Sequence, residues 1–205
     1  MSGLVGTSAM QWERVERIGA GKLRIAGVLG FAGLTAMAAQ IAVALPPYDI
    51  PITMQTLPVM LCALTLGGRL GMVSMLVYVL LGLVGLPIFA HGAGGLSHVW
   101  GATGGYLLGF VVAQPIVSAI SRVRIGTRGG PLAVCVAVLA GHAVVFVLGV
   151  TWLKLWGDTA LSEHISWAGA WFWGCAVFLP GTFAKAGIAA VLGPGLVGLD
   201  RRLGR

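Results

Sequence analysis

Six long apolar runs, almost free of charge, divide this 205-residue chain. They constrain its fold more than any other feature. Backbone polar groups in hydrocarbon must be satisfied within the segment, so a run of this kind is a helix. The composition agrees: 58% of residues are hydrophobic and only 9% charged, where a soluble domain carries about a quarter charged residues. The runs cover residues 23–45, 52–66, 70–86, 106–120, 132–152 and 167–192, and a crossing takes about 20 apolar residues. The expected architecture is all-α: a polytopic membrane protein built as one six-transmembrane-helix bundle. The first run is longer than the roughly 7–15 residues of a signal h-region, and further spans follow it, so it is read as a retained helix.

Charge placement orients the bundle. Alternating sides bring together the N-terminal tail (1–22), the Arg69 turn, the Arg122/Arg124/Arg128 loop and the C-terminal tail (193–205). These segments, with Arg24 at the mouth of the first span, hold eleven of the thirteen basic residues. The positive-inside rule then places both termini in the cytoplasm, with the membrane domain spanning residues 23–192. Trp152, Trp156, Trp167 and Trp171 lie at the opposite boundary, as interfacial aromatics do. The net charge of +7 is thus topological. No soluble basic face exists to read nucleic acid.

Lys185 is the exception. It lies inside the last apolar run, where a charge costs roughly 3 kcal/mol or more at mid-bilayer. Every acidic residue lies outside the runs: Glu13, Glu16, Asp49, Asp158, Glu163 and Asp200. Its partner is therefore a loop acid folded inward (Asp49 or Glu163), a set of dipoles, or a ligand that brings its own negative charge.

Other chemistries are absent. Gly19-Ala20-Gly21-Lys22-Leu23 resembles the end of a P-loop, but Glu16 replaces the first glycine and Leu23 the magnesium-binding hydroxyl. There is no HExxH and no GxSxG. Cys62, Cys135 and Cys175 sit in apolar runs without metal-ligand or disulfide spacing. No catalytic residue, metal site or cofactor is assigned. An intramembrane Ser74–His142 pair is the alternative an enzyme would require.

Polar residues gather instead near the outer face. Three prolines between Pro46 and Pro51 make a rigid loop, and Thr53, Gln55 and Thr56 follow it. Thr103 and Tyr106 begin the fourth span. Thr182 shares a helix face with Lys185, three residues on, and Pro180-Gly181 before them is expected to distort that helix. Small residues at GxxxG-type spacing (Gly67/Gly71, Gly105/Gly109, Ala32/Ala36) permit close helix approach.

At Pro51-Ile52-Thr53-Met54-Gln55-Thr56-Leu57 the chain resembles the biotin-specific substrate-binding subunits, the S components (BioY family), of energy-coupling-factor transporters. The resemblance continues through Leu81-Gly82-Leu83-Val84-Gly85-Leu86-Pro87-Ile88-Phe89-Ala90 and Gly101-Ala102-Thr103-Gly104-Gly105-Tyr106-Leu107-Leu108-Gly109-Phe110. It closes at Phe178-Leu179-Pro180-Gly181-Thr182-Phe183-Ala184-Lys185. It implies a subunit of the bacterial inner (plasma) membrane that binds biotin from outside, working with a transmembrane coupling protein and two ATPase subunits. It implies a vitamin-holding role for Lys185 and a docking face on the first helix at Ala32 and Ala36. Biotin has a carboxylate, an apolar chain and a ureido ring. Lys185 suits the carboxylate; Gln55, Thr182, Tyr106 or His91 suit the ring; Phe89, Trp100 and Trp152 suit the apolar middle; Thr53, beside Gln55, is a further binding candidate. The chain departs from the family at Thr182, where an acid is common, at Ala102 (proline) and at Phe146 (tyrosine). Another vitamin-type anion on the same fold is the alternative within transport.

Overall fold

The computed structural model describes residues 3–48, 50–123, 130–160 and 164–197, with side chains from residue 21 onward. Helices dominate: α1 (Gly3–Ala39), α2 (Thr56–Leu83), α3 (Leu96–Val99), α4 (Gly104–Ile120), α5 (Pro131–Ala160), α6 (Trp167–Gly174) and α7 (Leu179–Leu192). Among the described residues, four stretches are long and apolar enough to cross a membrane: Gly21–Ala39, Thr56–Leu83, Pro131–Ala160 and Trp167–Gly195. The apolar α4 has 17 residues, at the short end of what a bilayer needs.

The second and third runs lie within α2, which folds back on itself at Gly67. That residue has φ 79° and ψ 173°, backbone that glycine adopts without a Cβ clash. Gln55 and Tyr78 lie about equally far on either side of it and meet, Gln55 Nε2 donating to the Tyr78 hydroxyl at 2.6 Å. In a straight helix they would be about 34 Å apart. α2 is therefore a helical hairpin, with arms 56–66 and 68–83. The two arms, α1, α4, α5 and the α6–α7 stretch supply the six expected helical segments.

Tight backbone approach holds the bundle together. α4 packs on both α2 and α5, and α1 on α2. A Cβ on Gly109 would lie 2.8 Å from the Val145 Cα, so the Gly105/Gly109 spacing serves the α4–α5 contact within the chain. α5 runs through the core with Ala137, Val138, Gly141, His142 and Val145 buried.

Several boundaries differ from the sequence reading. α1 is continuous from Gly3 and stops at Ala39, because the next residues pair as a ribbon. β1 (Ala42–Val43) and β2 (Ile52–Thr53) are antiparallel, with Ala42 opposite Thr53, so the all-α bundle carries one short strand pair. This ribbon anchors the Pro-rich loop over one end of the bundle. The expected loop after residue 152 is helical to Ala160, where Lys154 and Asp158 pair one turn apart. The last span breaks at Cys175 (φ −137°) and a 3-10 turn, Ala176–Phe178, rather than at Pro180-Gly181. Pro180 sits in the first turn of α7, where its missing N–H sacrifices no helical bond.

The Gly-rich loop after α2 is well ordered by hydrogen bonds. Gly95 N donates to Gly82 O (2.7 Å) and Phe89 N to Ala93 O (2.9 Å). Gln40, just past α1, donates to Phe89 O and accepts from Gly92 N. These contacts press Phe89 inward.

Candidate ligand-binding site

Where the ribbon, the Gly-rich loop, α4, α5 and α7 converge, they enclose a cavity with about 720 Å³ of non-atom space including its mouth. Its walls are mostly apolar, and aromatic rings stand on two sides of it. Phe89 is 1% exposed, stacks on His98 (centroids 5.1 Å apart) and meets Tyr78 edge-on. On the far side Tyr106, Phe146 and Phe178 form a tilted cluster.

Lys185 reaches this cavity from α7. Its Nζ donates to Thr53 O at 2.6 Å and to Thr56 Oγ1 at 2.9 Å. An ammonium has three donors, so one N–H remains beyond these two bonds. Both partners are neutral. Of the three partners the sequence left open, the structure supplies dipoles. Asp49 and Glu163 lie outside the described residues, and Asp158, the only acidic residue with a described side chain, faces Lys154 and His164.

Gln55 is 6% exposed and part of a chain of bonds. Its Oε1 accepts from Thr53 Oγ1 (3.0 Å), its Nε2 donates to Tyr78, and the Tyr78 hydroxyl donates to Ile88 O (3.2 Å). This chain ties the ribbon to both arms of the hairpin. Thr182 donates its hydroxyl proton to Phe178 O at 3.0 Å, so it offers a ligand only lone pairs. Tyr106 donates to Gly174 O at 2.7 Å, a carbonyl freed by the break between α6 and α7. Its ring faces the cavity while its hydroxyl is committed to the scaffold.

The structure thus gathers Lys185, Thr182, Gln55, Thr53, Tyr106 and Phe89 around one cavity. His91 and Trp152 are not among its lining residues. His91 is exposed in a 3-10 turn at φ 58°. Trp152 donates Nε1 to Gly101 O (2.8 Å) and packs edge-on against Trp100, bracing the start of α4 from outside. Ala32 is 4% exposed and belongs to the core, with Ala36 packed beside it; this pair faces inward. Ser74 and His142 do not meet. The Ser74 hydroxyl donates to Val28 O (2.7 Å) and His142 Nδ1 faces Val138 O.

Thr56, His98, Phe146, Phe178 and His142 also line the cavity. Thr56 was readable as a neighbour of Gln55, and Phe146 lies four residues beyond His142 on one helix face. His98 had no sequence signal separating it from His91. Burial holds the His98 imidazole below its ordinary range, and Thr103 Oγ1 is 3.3 Å from its Nε2.

Comparison with known proteins agrees. The BioY family model matches residues 12–202. "Probable biotin transporter BioY" of Pyrococcus horikoshii is 31% identical over 168 residues, 82% of this chain and 92% of the relative. "Biotin transporter BioY" of Rhizobium etli is 32% identical over 173 residues, 78% of this chain and 89% of the relative. A protein of the first name from Lysinibacillus sphaericus is 36% identical, covering 79% and 80% respectively. The crystal structure of the S-component for biotin from an ECF-type ABC transporter superposes with a TM-score of 0.76 at 21% identity, over 86% of this chain and 91% of that one. At that identity the superposition speaks to fold alone, but the sequence matches do not depend on it: the chain belongs to the BioY family.

Proposed function

We propose that this chain is the biotin-binding membrane subunit of an uptake transporter. It takes the vitamin into the cavity from the outer side and delivers it with a coupling protein and ATPases that supply the energy. The chain itself carries no complete nucleotide-binding motif and converts nothing.

The observation that carries this reading is the state of Lys185. A cation in an apolar helix is held by two neutral oxygens, with one N–H to spare, at a cavity lined mostly by apolar side chains. Intramembrane cations of this kind mark ligand pathways. The rest of the site fits the same guest. The ammonium attracts an anion and answers a ligand oxygen, the Phe89, Phe146 and Phe178 rings cover an apolar chain, and Thr182 and Gln55 provide polar contact for a ring. Such a division of few polar groups among many apolar ones is how small-molecule pockets gain orientation.

Calorimetric titration of the purified chain in detergent tests this directly. Biotin should bind at one site per chain, and unrelated anionic vitamins should not compete. Folded protein that neither releases heat nor retains labelled biotin sinks the proposal.

A further inference from the structure

Among the described residues, two buried side-chain atoms have no hydrogen-bond partner: Gln114 Oε1 and His142 Nε2. Gln114 lies away from the cavity, its amide donating to Val59 O and Phe110 O. His142 lines the cavity and is 2% exposed. Its Nδ1 is 2.9 Å from Val138 O, one turn back on α5. A carbonyl only accepts, so Nδ1 carries the proton. In the uncharged ring Nε2 is then a bare acceptor.

A buried acceptor without a donor is costly. The protein groups nearby do not relieve it. Lys185 spends two donors on Thr53 and Thr56 and its remaining N–H does not bond the imidazole, Thr182 spends its proton on Phe178, and Gln55 bridges Thr53 and Tyr78. Phe146, its ring centroid 6.1 Å from that of His142, lines the cavity beside it and offers no donor. The site asks its guest for a donor at this point.

We propose that His142 Nε2 accepts an N–H from the bound ligand. Biotin's only N–H groups are the ureido pair, so the ureido ring is the end that reaches α5. This inference rests on biotin being the ligand. It makes His142 a specificity residue that favours a cyclic urea over a guest of similar shape without an N–H.

The test is a cycle of binding titrations, crossing wild type and His142→Phe with biotin and its two ureido N-methyl analogues. His142→Phe should weaken biotin binding roughly tenfold or more. One N-methyl analogue should lose a similar factor in wild type yet little further in His142→Phe. Biotin binding within threefold of wild type in the variant, or equal analogue losses in both proteins, overturns the inference while leaving biotin as ligand. Wild type that binds no biotin overturns the proposed function and this inference with it. If His142→Phe does not fold, wild type labelled with 15N-histidine decides. Biotin should move one unprotonated imidazole nitrogen upfield, and an unmoved spectrum overturns the inference.

Discussion

Replacing Lys185 with Met keeps the length of the side chain and deletes its charge. In the ligand-bound state the variant loses the donor that the third N–H would give to a ligand oxygen. A hydrogen bond to a charged group is worth about 1.5–3 kcal/mol, and truncating a partner of a buried charge pair costs about 2–5 kcal/mol. The overlap, about 2–3 kcal/mol, is a loss of roughly 30- to 150-fold in Kd. The unliganded protein should respond differently. It loses the bonds to Thr53 O and Thr56 Oγ1, but it is relieved of desolvating an ammonium, a cost of several kcal/mol. These oppose each other, so Tm without ligand should stay level or rise. Calorimetry on wild type and Lys185→Met, with Tm measured with and without biotin, reads both signs. Biotin amide identifies the oxygen. If it binds wild type as weakly as biotin binds the variant, Lys185 answers the carboxylate. If it binds wild type as biotin does, Lys185 answers the ureido oxygen. Unchanged biotin affinity together with a fallen apo Tm would refute the reasoning, because Lys185 would then be a clamp between α7 and the ribbon.

Two further perturbations follow from the walls of the site. In Gly82→Ala the new Cβ would run into the Phe89 ring, which is held by Tyr78 and His98. Such overpacking costs about 1–3 kcal/mol, so Tm should fall and biotin should bind several-fold more weakly; titration and thermal melts showing wild-type behaviour would mean that Phe89 moves freely. His98 has a lowered folded-state pKa because burial disfavours its charged form. The unfolded chain therefore binds more protons than the folded one once pH drops below about 6.5. The stability contribution is present above that value and is lost as pH falls through it. His98→Phe should flatten the fall of Tm between pH 8 and 5, and coincident slopes for variant and wild type would exclude His98 as its source.

The parts of this protein legible in the sequence are those encoded locally. Apolar length gave the six segments, and the glycines at 67–71 marked the reversal between the second and third, because only a residue without a Cβ takes φ 79° at low cost. Thr182 and Lys185 were placed together by helical spacing. Trp152 and His91 were not separable from true lining residues, because being aromatic or polar near one end of the bundle does not say which way a side chain points. Ala32 and Ala36 have docking-type spacing, yet the rotation of α1 against the hairpin turns them inward.

By itself the sequence determined that a cation lies in an apolar helix and must be answered, since the charge and its surroundings are consecutive residues. It could not say by what, because Thr53 and Lys185 are 132 residues apart. Only the folded-back hairpin and the ribbon over the bundle bring that carbonyl to the ammonium and set His142 beside the same cavity. Packing between distant segments decides such partners, and no local pattern records it.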